Sequence, residues 1–296
     1  MNKIKKVLNK YNLKPKKIEY RGKTVLIGTD TNKYVLKEIK NKSIYKYLNS
    51  RNFNYYPNHI SDNTDDYEVV EFLEEIETPT EQKMIDLIET VSLLHYKTTY
   101  YKEIDESTYK EIYEDLNNNI DYLSGYYNDI ISIIETRVFM SPSEYLLARN
   151  ISLVFKLLIK NKMDLDKWYE LAKKETKQRV VIIHNNLSLD HFIKNDSNYL
   201  ISWDKSKIGM PIFDLYKLYN NHILDFDFEE ILTKYESSYP LLEIEKKLLL
   251  ILISIPKKLE FNNTEYVNTL YVNDEVTRLN KTINLSFFKE EVNETN

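Results

Sequence analysis

Residues 180–219 read VVIIHNNLSLDHFIKNDSNYLISWDKSKIGMPIFDLYKLY, and the order of elements in this stretch organises the rest of the chain. Val180–Ile183 is an apolar, β-branched run that predicts a buried strand. A polar loop follows from His184 to His191. Phe192–Lys194 and Tyr199–Trp203 predict two more strands, and between them Lys194-Asn195-Asp196-Ser197-Asn198 has the composition of a hairpin turn. Gly209-Met210-Pro211-Ile212-Phe213-Asp214-Leu215 then opens a helix.

Outward from here, the two flanks differ. Upstream, the first seventy residues read as strands with one helix. Lys17–Tyr20, Thr24–Ile27 and Tyr34–Ile39 are short β-rich runs separated by Arg21-Gly22-Lys23 and Thr29-Asp30-Thr31-Asn32, which predicts an antiparallel meander. Ser43–Asn49 carries Ile44, Tyr47 and Leu48 at helical spacing, and Tyr67–Phe72 alternates as a strand. After Thr78-Pro79-Thr80 the period becomes helical, with Met84, Leu87, Ile88, Val91 and Leu94 on one face and Thr80 as the expected N-cap. Helical patterns continue over Tyr109–Ile134, long enough with its Gly125 for two helices, and over Ser143–Leu158 and Asp164–Lys173. Downstream of Pro211 the chain reads as helical to about Leu285, interrupted at Pro240 and Pro256, with a polar tail from Lys289 to Asn296 expected to fray.

Composition narrows the class of protein. The 296 residues suffice for a sizeable core, and 42% hydrophobic with 29% charged residues is a globular balance. A net charge of −5 gives no sign of a nucleic-acid binder. The absence of cysteine excludes disulfides, thiolate zinc sites and cysteine nucleophiles, and it suits the cytoplasm. The charged N-terminus MNKIKKVLNKYNLK is followed by no apolar signal core. The strongest apolar run, Leu248–Ile255, is far short of the roughly 20 residues that cross a bilayer, so a buried helix is expected there. The order is therefore a sheet-rich part, a helical part, one late β-episode and more helices: an α+β arrangement, in which a sheet lobe and a helical lobe would meet at a ligand cleft.

Residues 180–218 resemble the aminoglycoside phosphotransferase, choline kinase and bacterial spore-coat kinase-like superfamily, whose members read His-Gly-Asp-x-x-x-x-Asn, a hairpin, Ile-Asp-Phe/Trp-Asp/Glu, then Gly-x-Pro-x-x-Asp-Leu. Tyr34-Val35-Leu36-Lys37 stands where that family has its nucleotide-anchoring lysine strand. Glu68–Phe72 resembles the strand entering the hinge, which makes Glu71 a candidate cofactor contact, and Leu93-Leu94-His95 resembles a characteristic helix end. The resemblance implies a protein-kinase-like fold with an N-terminal β-rich lobe over residues 1–76. It implies a helical lobe over residues 77–296 that carries a catalytic-loop-like hairpin at 180–204.

The match fails where phosphotransfer needs it. His184 is present, but the family's catalytic acid falls on Asn186, its metal-binding asparagine on His191, and its metal-binding acid on Ser202. A second acid survives as Asp204, and Asp214 matches a structural aspartate that braces the catalytic loop in the related fold. An amide orients a hydroxyl but cannot take its proton at neutral pH, and the lost general base alone is worth about 10²–10⁴ in rate. Ser202 and His191 suit Mg²⁺ poorly, since that ion prefers charged oxygen ligands in an octahedral shell. The phosphate-covering loop is reduced to Arg21-Gly22-Lys23, too tight to offer a row of backbone N–H groups. Between Asn41 and Phe53 there is no glutamate to pair with Lys37, and Glu38 points to the opposite face of its strand.

Weighed against these are plainer readings. Lys37 is as readily a surface lysine as a nucleotide contact. His184, His191, Asp190 and Asp204 match no standard metal spacing, and His184 is expected to pack against its loop. His95 reads as a helix end, while His59 and His222 have no partner nameable from sequence.

Three functional classes follow. The leading expectation is a pseudokinase, catalytically impaired, acting by binding a protein partner or small molecule, with ATP or ADP as candidate ligands and Mg²⁺ doubtful. The spore-coat resemblance would imply a spore-associated assembly role. The alternative is an active phosphotransferase in which Asp204 and Asp190 take over acidic roles. A third is an interaction module whose cleft is filled by bulky side chains.

Overall fold

The computed structural model describes residues 2–38, 43–60 and 67–286. The predicted strand end at Ile39 and the polar tail Lys289–Asn296 lie outside the described residues. The chain divides into two compact units: Met1–Thr99 with Val181–Gly209 and Ser237–Tyr239, and Tyr100–Val180 with Met210–Glu236 and Pro240–Asn296.

The first unit opens with a helix that the sequence reading missed, α1 (Asn2–Lys10). Ile4, Val7, Leu8 and Tyr11 fall at helical spacing and pack with Val25, Ile27, Leu36 and Val69. Asn12, in the left-handed region at φ 56°, ends the helix and lets Leu13 N–H reach Leu8 O at 2.9 Å. The expected meander follows as β1 (Lys17–Arg21), β2 (Thr24–Gly28) and β3 (Lys33–Glu38). Helix α2 (Ile44–Ser50) precedes β4 (Tyr67–Glu71), which completes an antiparallel sheet of order β1-β2-β3-β4.

Strand alternation divides this sheet into two faces. Val25, Ile27, Leu36 and Val69, all buried, meet α1; each fully buried aliphatic side chain contributes about 1.5–3 kcal/mol. Thr24, Leu26, Val35, Lys37, Glu68 and Val70 occupy the opposite face. Helix α3 (Thr80–Thr98) buries Met84, Leu87, Ile88, Val91 and Leu94, the predicted face. Its N-cap is Pro79 rather than Thr80, which is already helical and makes no side-chain cap.

The late β-episode packs on α3. Strands β7 (Phe192–Lys194) and β8 (Asn198–Leu200) form the expected hairpin. Lys194 Nζ lies 2.7 Å from Asp86 Oδ2, and Asn198 Nδ2 donates to Thr90 Oγ1 at 3.1 Å, so buried polar residues of α3 fix the hairpin. The predicted second strand stops at Leu200, because Ser202 turns left-handed (φ 66°) into a 3₁₀ turn over Trp203–Lys205.

In the second unit, α4 (Glu106–Glu135) is one helix, not two. A Cβ on Gly125 would meet nothing within 4 Å, so this glycine costs only its propensity of about 1 kcal/mol and does not break the helix. Helix α5 (Pro142–Ala172) likewise joins the two predicted segments into one. It starts with a Ser141–Glu144 capping box, and its middle is held by buried Asn161, whose Oδ1 accepts from Ser254 Oγ at 2.6 Å. Strand β5 (Tyr100–Glu103), not foreseen, pairs with the first half of β6 (Lys177–Ile183). The second half of β6, in the first unit, pairs with β9 (Lys207–Gly209). Helices α6 (Ile212–His222), α7 (Phe228–Ser238), α8 (Glu243–Ser254) and α9 (Glu265–Asn284) follow. The leucine-rich run is buried in α8 as expected, and no described helix is long and apolar enough to cross a membrane.

Candidate functional site

The sheet face away from α1 opens on a cavity of about 210 Å³ within the first unit. Leu26, Val35 and Val70 line it from the strands, Ile193 and Ile201 from the hairpin and its exit, and Glu71, Phe72 and Leu73 from the segment leaving β4. Lys37, Glu68, Tyr45 and Ser202 complete the walls. Of the candidate residues, Lys37, Glu71 and Ser202 are thus brought to one cavity. Asp204, exposed on the 3₁₀ turn, is not part of its wall.

Lys37 does have an acid partner, and here the sequence reading needs correction. Its Nζ lies 2.8 Å from Glu68 Oε1, both side chains largely withdrawn from water. The acid comes from the adjacent strand, not from the helix after β3: the register pairs Lys37 with Glu68, and cross-strand partners share a face. Burial pushes the Lys37 ammonium below its ordinary value, and the nearby Asp204 carboxylate partly opposes that shift.

His59 is the second residue the sequence left without a partner. The segment Asn58–Ile60 runs along β4, with Ile60 N–H donating to Val69 O at 2.8 Å and Glu71 N–H to Asn58 O at 3.0 Å. This sets the ring beside Glu68, with Nδ1 3.8 Å from Oε2, and against Tyr45 at 3.8 Å between centroids. Burial and the Lys37 charge depress His59 to about 4, so it is neutral at physiological pH. Tyr45 is pushed above its ordinary value by burial, with the Asp204 and Tyr56 charges adding to the shift.

The loop after β6 is held by its own polar groups. His184, wholly buried, bonds Ile201 O through Nε2 at 2.9 Å and packs edge-on to Trp203 at 4.8 Å. Asn185 is left-handed at φ 58°, and its Nδ2 donates to Lys205 O at 3.0 Å. His191 Nδ1 bonds Asn186 O at 2.8 Å. Lys205 Nζ donates to Asn186 Oδ1 at 3.2 Å, which turns the amide nitrogen towards the His191 ring. Asn186, which the resemblance sets at a catalytic-acid position, is therefore engaged on both sides of its amide, and the sequence offered no sign of Lys205's part in this. Among the described residues no group of three or more His, Cys, Asp or Glu gathers where it could hold a metal ion.

The remaining candidates are scattered. Asp190 lies exposed in the 3₁₀ turn Leu189–His191, its N–H donating to Ser188 Oγ. His95 is buried at the end of α3, its ring 6.0 Å from that of Tyr239, and His222, near the end of α6, faces Phe226. Asp214 is wholly buried in the first turn of α6, in the second unit.

No protein-family model matches the chain, and no curated protein does. Solved structures do. An aminoglycoside phosphotransferase from Alicyclobacillus acidocaldarius aligns with a TM-score of 0.72 at 9% identity, over 97% of this chain and 95% of that one. Spectinomycin phosphotransferase aligns in its AMP complex with a TM-score of 0.52 at 13% identity, over 98% and 94%. Its complex with ADP and spectinomycin aligns with a TM-score of 0.51 at 13% identity, over 98% and 93%. The chain shares the fold of these phosphotransferases, protein-kinase-like, with an antiparallel-sheet N-terminal region and a mainly helical C-terminal region.

Proposed function

We propose that this protein is a pseudokinase, which keeps the outline of a small-molecule phosphotransferase but acts by binding rather than by efficient phosphotransfer. The observation that carries this reading is the state of Asn186. The position that must accept a hydroxyl proton holds an amide, with Lys205 on its oxygen and His191 against its nitrogen. Ser202, at the position of the metal-binding acid, is a neutral side chain on left-handed backbone. The cavity beneath the sheet is the binding site this reading requires, and spectinomycin phosphotransferase, a neighbour in fold, has been solved with AMP and with ADP. Work as part of a larger assembly, including the spore-coat role implied by resemblance, fits the same loss of chemistry.

A second reading, an active phosphotransferase with rearranged acids, is favoured by one observation: Asp204 is near enough to Lys37 for its charge to act on the ammonium. The test is phosphate transfer from ATP and Mg²⁺ to spectinomycin, aminoglycosides and choline. The pseudokinase reading expects a rate equal to the no-protein control. Turnover that disappears in Asp204→Ala would establish the second reading instead.

A further inference from the structure

We propose that β1 is a docking strand, whose open edge takes up an extended segment of a partner protein, acidic and apolar by turns, as a further strand of the sheet. The inference goes beyond the pseudokinase reading and does not depend on it. β1 stands at the end of the order β1-β2-β3-β4, and no described strand lies on its outer side. The turn to β2 is the two residues Gly22-Lys23, closed by the pair Arg21 and Thr24, so that pair exchanges hydrogen bonds and the pattern alternates from there. Arg21, Glu19 and Lys17 bond to β2, and Lys16 N–H joins them by donating to Gly28 O at 2.8 Å. Ile18 and Tyr20, between them, aim their N–H and C=O groups out of the sheet, where no described residue bonds them.

Those backbone groups select the chemistry of the occupant. Donors and acceptors alternate along the edge, and a second extended polypeptide supplies both at the same spacing. A phosphodiester backbone offers acceptors alone and leaves the C=O groups unmet. The side chains then divide by face. Ile18 and Tyr20 pair with Ile27 and Val25 on the face that α1 covers, yet stay 40% and 63% exposed at its margin. On the other face stand Lys17, Glu19 and Arg21, with Glu19 Oε1 2.7 Å from Arg21 Nε and Oε2 3.8 Å from Lys17 Nζ, one acid between two bases. An added strand therefore meets apolar surface on one face and net positive charge on the other. Alternating apolar and acidic side chains match both faces at once.

The surrounding charge decides between such a partner and a second copy of this chain. Residues 1–23 hold nine of the 41 lysines and arginines but one of the 46 acids. Lys14 and Lys16 lead into β1 and Lys23 follows it, all exposed, with Lys16 paired to Asp30. Lys5, Lys6 and Lys10 of α1 are exposed as well, while the apolar residues of that helix are committed to the sheet. Two such edges laid together would bring like charges opposite one another, so β1 is guarded against pairing with its own copy. The same charges attract an acidic strand and hold it in register.

Fluorescence anisotropy with the full-length protein tests this, the probe being a labelled, end-capped decapeptide of alternating Glu and Val. It is expected to bind in the micromolar range. A block isomer, with all its Glu before all its Val, and an alternating Lys and Val peptide should each bind about tenfold more weakly or worse. Tyr20→Pro removes one outward N–H and no bond to β2, and an edge strand tolerates proline where its N–H faces solvent. That variant should lose about tenfold in affinity and keep its urea-unfolding midpoint. If it fails to fold, hydrogen exchange on the unsubstituted protein decides instead. Bound peptide should slow exchange at the Ile18 and Tyr20 amides and leave those of Glu19 and Arg21, already bonded to β2, unchanged. Equal binding of the block isomer would reduce the site to bulk charge and overturn the proposal. So would bound peptide that leaves the Ile18 and Tyr20 amides unprotected, or no binding at millimolar peptide. None of these outcomes bears on the pseudokinase reading, which phosphate transfer alone decides.

Discussion

At the scale of single residues, His59 shows how a buried imidazole makes the fold sensitive to acid. Its folded value is about 4 against an ordinary 6.5, because burial and Lys37 oppose its protonation. Between those values the unfolded chain binds a proton that the folded chain does not. Stability therefore falls as pH drops from about 6.5 to 4 and levels off below, by up to about 3 kcal/mol for a shift of this size. The groups facing the ring are Glu68, Lys37, Tyr45 and Tyr56. His59→Phe keeps a ring against Tyr45 but cannot titrate, so urea-unfolding midpoints measured from pH 7 to pH 4 should flatten relative to the parent protein. An unchanged slope would place the acid sensitivity elsewhere. Neither His59 nor the Lys37–Glu68 pair was legible in the sequence. The partners are 31 positions apart and meet only through strand register. The expectations for Asn186, His191 and Ser202, by contrast, rest on fixed spacings along one continuous segment.

At the scale of elements, helix α1 shows the opposite case, a signal that was present and went unread. Ile4, Val7, Leu8 and Tyr11 are spaced for one helical face, but the segment was read only as a charged N-terminus with no apolar signal core after it. The sheet supplies the missing reason, since Val25, Ile27, Leu36 and Val69 need a cover. Leu8, at 5% exposure, is the most deeply buried residue of that helix, so Leu8→Ala should destabilise the protein by about 2–4 kcal/mol, read as a lowered unfolding midpoint in urea. A change below about 0.5 kcal/mol would mean that α1 does not cover the sheet in solution. The merged helices α4 and α5 carry a related lesson. Gly125 and the polar Lys160–Lys162 stretch resemble breaks, yet an exposed glycine and a buried asparagine whose Oδ1 accepts from Ser254 leave both helices continuous.

At the scale of the whole molecule, the first unit is discontinuous in sequence. The segment Val181–Gly209 returns to it and brings Phe192, Leu200 and Trp203, each at most 1% exposed. Trp203 meets Phe53 edge-on at 6.1 Å, Leu200 N–H bonds Tyr55 O at 2.9 Å, and Lys194 pairs with Asp86. A fragment ending at Thr99 loses all of these and leaves Asp86 buried without its cation. Expressed alone, it should show no cooperative thermal transition by circular dichroism. A sharp transition would show that the N-terminal segment folds without the hairpin.

The sequence by itself determined most of the succession of strands and helices and the hairpin at 192–200. These depend on local periodicity and on spacing within one segment. Only the tertiary structure decided that Lys37 is neutralised by Glu68, that Asn186 is engaged by Lys205, and that α1 covers the sheet. Each depends on which distant residues share a face once strands pair in register, and a buried charge is set by those neighbours rather than by its place in the chain.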